Sequence, residues 1–190
     1  MPRGSFREGG GVTMSGTLTV MGLQLLDKRF VNSRNFGLGY WWVDGLEYAA
    51  SEFANDRDLL EALVANPWYQ HGYAAPRGDI PDPAGAGIHG PFRVEAITAD
   101  IFVRMERDEA RRQLDSWLAQ NNATPEATNA FRSAIDALLP VGSRIYALPN
   151  LPESAQHDWS GVVGRDTGFL EYVAISPESK TLNLLVATDD

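Results

Sequence analysis

Residues 168–188 read GFLEYVAISPESKTLNLLVAT, and this stretch decides the fold. β-Branched and aromatic residues dominate 169–175, residues 177–180 have the composition of a turn, and 181–188 is almost wholly apolar. The pattern predicts a β-hairpin. Because a strand that is apolar at nearly every position is typical of burial on both faces, we expect the hairpin at the centre of a sheet.

Two helices are predicted upstream of this hairpin. Residues 108–121 and 124–138 carry apolar side chains at helical spacing. Thr124 followed by Pro125 is a strong helix start, because the threonine caps the helix and proline fits its first turn. The short link between the two segments predicts an antiparallel helical hairpin.

Other segments have the composition of strands, namely 17–26, 39–43, 92–106 and 143–148. In 92–106, apolar and polar residues alternate, which predicts one long strand. An apolar stripe at helical spacing from Leu46 to Val64 predicts a helix capped by Asp44, or two helices with Asn55 as the second cap.

The order of these elements predicts an α+β fold in one domain. We expect a mainly antiparallel sheet with the helices, including the helical hairpin, packed on one face. The domain covers 14–190. Residues 1–13 contain three consecutive glycines and few apolar residues, and we interpret them as a disordered extension. They are interpreted either as residues encoded upstream of a true translation start at Met14 or as the remnant of a cloning linker.

Composition excludes several classes of protein. The chain has 190 residues, 25 Asp and Glu against 16 Lys and Arg, a formal charge of −9 and no cysteine. There is therefore no disulfide framework, thiolate metal site or cysteine nucleophile. The acidic balance argues against nucleic-acid binding, and no apolar run is long enough for a membrane span. We expect a soluble, cytoplasmic protein, and the excess of arginine over lysine suggests a bacterial source.

The most unusual segment is the loop 66–91, which holds five glycines and five prolines. Loops of this length in a compact domain are often functional. It carries Trp68, Tyr69 and Tyr73, which we predict to bind a ligand or a partner, since tyrosine and tryptophan are enriched at interfaces and in pockets. Self-association into a homodimer would also cover exposed aromatic side chains of this loop.

Acid–base chemistry is the enzymatic candidate. His71 and His89 lie near the two ends of the loop, and Glu95 and Asp100 follow on the predicted strand, at opposite parity and so on opposite faces. No metal-ligand spacing or nucleotide-binding motif accompanies them, so we predict no metal and no cofactor. A second cluster, 157–159 (His-Asp-Trp), is interpreted as a loop.

Two functional hypotheses follow from these residues. The first is a non-catalytic binding protein, either an accessory protein for a small molecule or an acidic inhibitor or immunity-type partner of a basic protein. The second is a small cofactor-independent enzyme that uses a histidine and a carboxylate on a small metabolite. A histidine and a carboxylate converging in a cavity beneath 66–91 would favour the enzyme.

Overall fold

A computed structural model describes residues 23–50, 55–75, 77–78, 80–81, 87–164 and 168–189 of the chain. Within these residues the strands are β1 (Gln24–Asn32), β2 (Trp41–Ala49), β3 (Ile88–His89), β4 (Phe92–Arg93), β5 (Val103–Met105), β6 (Arg144–Leu148), β7 (Leu170–Ser176) and β8 (Thr181–Asp189). The helices are α1 (Asp56–Val64), α2 (Arg107–Gln120) and α3 (Pro125–Leu138).

One sheet organises the fold. Its strand order is β1-β2-β8-β7-β6-β5, and every neighbouring pair is antiparallel. β3 and β4 pair separately as a small hairpin. The predicted α+β class with an antiparallel sheet is confirmed. The predicted hairpin is also confirmed, since it forms the two central strands and is buried along almost all of its length.

The two faces of the sheet are covered differently. On the first face, α2 and α3 pack against the sheet, and Trp41 of β2 stacks on Phe131 with ring centroids 4.4 Å apart. On the second face, α1 and side chains from 69–102 form a separate buried cluster with alternate residues of β2, β7 and β8. The expectation that all helices share one face is too simple, because α1 packs opposite the helical hairpin.

Helix α1 is tied to the sheet through its first residue. Arg144 and Tyr146 of β6 donate hydrogen bonds to the Asp56 carboxylate, with Nε–O and O–O distances of 2.6 and 2.7 Å. Burial by itself raises the pKa of Asp56, but these hydrogen bonds outweigh it and hold the pKa below its usual value of 3.8. The ionised carboxylate therefore fixes the start of the helix against β6.

The predicted helix from residue 44 is wrong in its first part. Residues 41–49 form β2, and α1 begins at Asp56, after Asn55, whose side chain accepts a hydrogen bond from the Asp58 N–H at 3.0 Å. The second predicted cap is thus confirmed, and Asp44 is not a cap. A spacing of four residues fits a strand as well as a helix, so the stripe through Leu46 could not distinguish them.

The single long strand predicted for 92–106 is also wrong. The segment contains β4 and β5 at its two ends and 3-10 turns at Val94–Ala96 and Ala99–Ile101 between them. Ile97 and Ala99 are buried and Thr98 and Asp100 are exposed, so the alternation reports burial on the second face. It does not report pairing in the sheet.

Two predictions lie outside the described residues, namely the extension 1–13 and the part of the first predicted strand before residue 23. Within the described part of the chain, none of the helices combines the length and the apolar character that crossing a bilayer requires.

Candidate functional site

Two acidic residues lie in one row across the second face of the sheet. Asp44 of β2 and Glu171 of β7 are both paired with Val186 of β8, one from each side. Directly paired residues point to the same side of a sheet, so both carboxylates face the segment that follows α1. Each is buried and meets a basic side chain from that segment.

The first of these contacts joins Glu171 and His89. His89 Nε2 lies 2.6 Å from Glu171 Oε2, and the Tyr69 hydroxyl donates to Oε1 at 3.0 Å. The Tyr69 ring stacks on the imidazole, with centroids 3.6 Å apart and planes 6° from parallel. His89 has 0% of its surface exposed and Glu171 has 1%. The predicted histidine does meet a carboxylate, but it is Glu171.

The hydrogen bonds of His89 define where protons sit in this pair. Nδ1 lies 2.5 Å from the backbone oxygen of Tyr69, and a carbonyl oxygen can only accept, so Nδ1 carries a proton. Nε2 faces a carboxyl oxygen. The Nε2–Oε2 contact therefore holds one further proton, and the pair is neutral as a unit, which is how a buried ionisable pair avoids an uncompensated charge.

The second contact joins Asp44 and Arg77. Arg77 Nε donates to Asp44 Oδ2 at 2.8 Å, and its two terminal nitrogens donate to the backbone oxygen of Trp68 and to the Tyr73 hydroxyl at 2.5 and 2.6 Å. Burial raises the pKa of the Tyr73 hydroxyl well above its usual range, so this phenol remains neutral. Arg77 thus ties the segment after α1 to the sheet.

The three histidines approach one another at Gly90. The Gly90 N–H donates to the His71 backbone oxygen at 2.8 Å, and His157 Nε2 donates to the Gly90 oxygen at 2.9 Å. Gly90 has φ +51°, and an added Cβ would overlap the ring of Phe169, so glycine is required there. The three imidazole rings form hydrogen bonds with different partners. In the described part of the chain, no group of three ligating side chains could hold a metal.

The remaining predicted site residues lie elsewhere. Glu95 and Asp100 are exposed, and Asp100 forms an ion pair with Arg57 of α1, so neither reaches His89. Tyr69 and Tyr73 are completely buried in the second-face cluster. Trp68 is half-buried beneath Lys28, whose Nζ lies 5.0 Å from the ring centroid. The three aromatic residues therefore do not form a common open surface.

An open pocket lies on the outer side of the β3–β4 hairpin. In this hairpin His89 pairs with Phe92 and Ile88 pairs with Arg93. Because successive side chains on a strand point to opposite sides, His89 and Phe92 enter the core while Ile88 and Arg93 line the pocket. The hairpin is the wall between the buried network and solvent.

The pocket has a volume of about 350 Å³, at the small end of the range for ligand sites. Its described lining is mostly apolar and includes the polar side chains of Arg93, His157 and Asp158. The lining residues are Gly72, Ala74, Ile88, Arg93, His157, Asp158, Trp159, Val162 and Val163. Trp159 is 77% exposed at its edge. A pocket of this kind can bind a small apolar molecule that carries one polar group.

His157 fixes the position of residues 157–159, which border this pocket. Its backbone N–H donates to the Pro91 oxygen at 3.2 Å, its Nε2–H donates to Gly90, and its Nδ1 accepts from the Trp159 N–H at 3.1 Å. Both ring nitrogens are therefore engaged in positioning the backbone. On the other side of Val163 lies a second pocket of about 490 Å³, with no charged side chain among its described lining residues.

The sequence contained partial signals for these sites. Glu171 is the one charge inside a strand that is otherwise apolar and was expected to be central, and a charge there indicates a buried partner. Residues 157–159 were singled out but interpreted as a loop. Arg77 and Arg93 had no local signal, since only the tertiary fold places them beside Asp44 and the pocket.

Comparisons with protein-family models, with curated proteins and with solved structures found no match to this chain.

Proposed function

We propose that this chain is a non-catalytic binding protein that holds a small, largely apolar molecule in the pocket outside the β3–β4 hairpin. The observation that carries the proposal is the position of this hairpin, which separates the open pocket from the buried His89–Glu171 pair. The apolar pocket with Arg93 at its side is open, whereas the contact between His89 and Glu171 is buried in the core.

The enzyme hypothesis has less support. General acid–base catalysis needs a group within hydrogen-bond reach of the substrate. His89 and Glu171 each use their polar atoms on internal partners and are covered by Tyr69 and Phe169. A substrate could reach them only after the β3–β4 hairpin moved away from the sheet.

A basic protein partner remains the second candidate. The formal charge of −9 favours encounter with a positively charged surface, and the exposed Trp159 beside Asp158 is a suitable contact point for such a partner. This candidate would gain support if the protein bound no small apolar probe at all.

The test is a fluorescence titration with N-phenyl-1-naphthylamine, a neutral apolar probe that brightens when it leaves water. We expect saturable binding of one probe per chain, and we expect the variant Val162→Glu to weaken it by roughly tenfold or more, because a carboxylate in an apolar wall opposes binding. Val103→Glu is the matched control, since Val103 is also exposed and lies on the edge strand β5.

Absence of saturable binding, or equal binding by the two valine variants, would contradict the proposal. Native mass spectrometry of the full chain gives an independent readout, because a tightly held small molecule adds its own mass to the protein.

A further inference from the structure

Among the described residues that line the pocket, Arg93 is the one strong cation, and its position is fixed by the fold. Arg93 lies on β4 directly opposite Ile88, so its side chain must leave the hairpin on the pocket side. One terminal nitrogen donates to the backbone oxygen of Ser154 at 3.3 Å. The guanidinium is thus held at the wall of an otherwise apolar space.

The acidic partner of Arg93 is weakly attached. Asp158 Oδ1 lies 3.7 Å from an Arg93 terminal nitrogen, beyond hydrogen-bond distance, and the Asp158 side chain is 93% exposed. Exposed ion pairs of this kind contribute little to stability. By contrast, Arg77 donates to its carboxylate at 2.8 Å and is almost completely buried. Asp158 can therefore be displaced at small cost, whereas Asp44 cannot.

We infer that the ligand of this pocket is an amphipathic organic anion whose carboxylate or sulfonate displaces Asp158 and binds Arg93, while its apolar body packs on Ile88 and Val162. This inference rests on the proposed function. The guanidinium can donate two parallel hydrogen bonds to two oxygens of a carboxylate or of a sulfonate. Asp158 thus lies where the anionic group of the ligand would meet Arg93.

The experiment compares two probes that share one apolar body. N-Phenyl-1-naphthylamine is neutral, and 1-anilinonaphthalene-8-sulfonate adds a single sulfonate to the same rings. With the unmodified full-length protein we expect the sulfonate probe to bind roughly tenfold more tightly, and this advantage to shrink as salt is raised. Arg93→Gln should remove the advantage and leave binding of the neutral probe unchanged.

Asp158→Asn should act in the opposite direction. It removes the internal competitor and its repulsion, so the sulfonate probe should bind roughly three- to tenfold more tightly, with no change for the neutral probe. Arg132→Gln is the matched control, since Arg132 forms a half-exposed ion pair with Asp115 on the other face of the protein. Equal melting temperatures would show that every variant is folded.

Each outcome has a separate meaning. Equal affinity for the two probes, unaffected by Arg93→Gln, would overturn the anion inference and leave the binding function intact. Loss of tight sulfonate binding in Asp158→Asn would also overturn it. Failure of both probes to bind the unmodified protein would instead refute the proposed function, and with it this inference.

Discussion

Replacement of Glu171 tests whether the buried network stabilises the fold through hydrogen bonds. In Glu171→Leu, the Tyr69 hydroxyl and His89 Nε2 lose the carboxylate oxygens that lie 3.0 and 2.6 Å away. Each buried polar group left without a partner costs about 1–3 kcal/mol, and removal of one member of a buried pair typically costs about 3–5 kcal/mol. We therefore expect Glu171→Leu to lower the free energy of unfolding by about 3–5 kcal/mol.

Glu171→Gln should behave differently. The amide oxygen can still accept from Tyr69, and the amide nitrogen can donate to His89 Nε2 once that atom has lost its proton. Both contacts survive without the charge, so we expect a loss of about 1 kcal/mol. The pair of variants thus separates the hydrogen bonds from the ionic attraction.

The assay is urea unfolding followed by tryptophan fluorescence and by circular dichroism, so that coincident transitions verify two-state behaviour. Glu178→Leu and Glu178→Gln are controls in the exposed turn between β7 and β8, where changes should stay within about 0.5 kcal/mol. Equal losses for the two Glu171 variants, or a loss below about 1 kcal/mol for Glu171→Leu, would refute the reasoning.

Three further predictions concern other contacts of the same structure. Arg77→Met should lower the free energy of unfolding by about 3 kcal/mol or more, because it leaves Asp44 buried and unpaired, whereas Arg132→Met should cost below about 1 kcal/mol; equal losses in urea unfolding would contradict this. Gly90→Ala should cost about 2 kcal/mol or more, since its Cβ would overlap an aromatic ring at a positive φ; an unchanged melting temperature would disprove it. The stability supplied by ionised Asp56 is fully present above pH 3.8 and is lost as the pH falls through its lower folded pKa. Asp56→Asn should therefore be less stable than the parent at about pH 6, and this difference should shrink as the pH falls below 3.8; a stability difference independent of pH would argue against the assignment.

The segment 66–91 shows how composition can indicate importance without indicating its kind. Its aromatic residues predicted a binding surface, yet Tyr69 and Tyr73 are core residues. Tyrosine suits both roles, because its ring is apolar and its hydroxyl needs one polar partner. The partner of Tyr69 is Glu171, which lies on a strand about a hundred residues later in the chain. The partner of Tyr73 is Arg77, which is itself held by Asp44 on a strand earlier in the chain.

Local patterns determined the hairpin 168–188, the α+β class and the start of α3, where the Thr124 side chain accepts a hydrogen bond from the Ala127 N–H. These features follow from contacts between near neighbours in the chain, which period, turn composition and capping residues describe directly. The tertiary structure alone decided that α1 and the helical hairpin lie on opposite faces, that Asp44 and Glu171 share one row beside Val186, and that Arg93 faces a pocket while His89 faces the core. Those arrangements depend on the order of the strands in the sheet and on which side of the β3–β4 hairpin faces the core. No short stretch of sequence determines either of them.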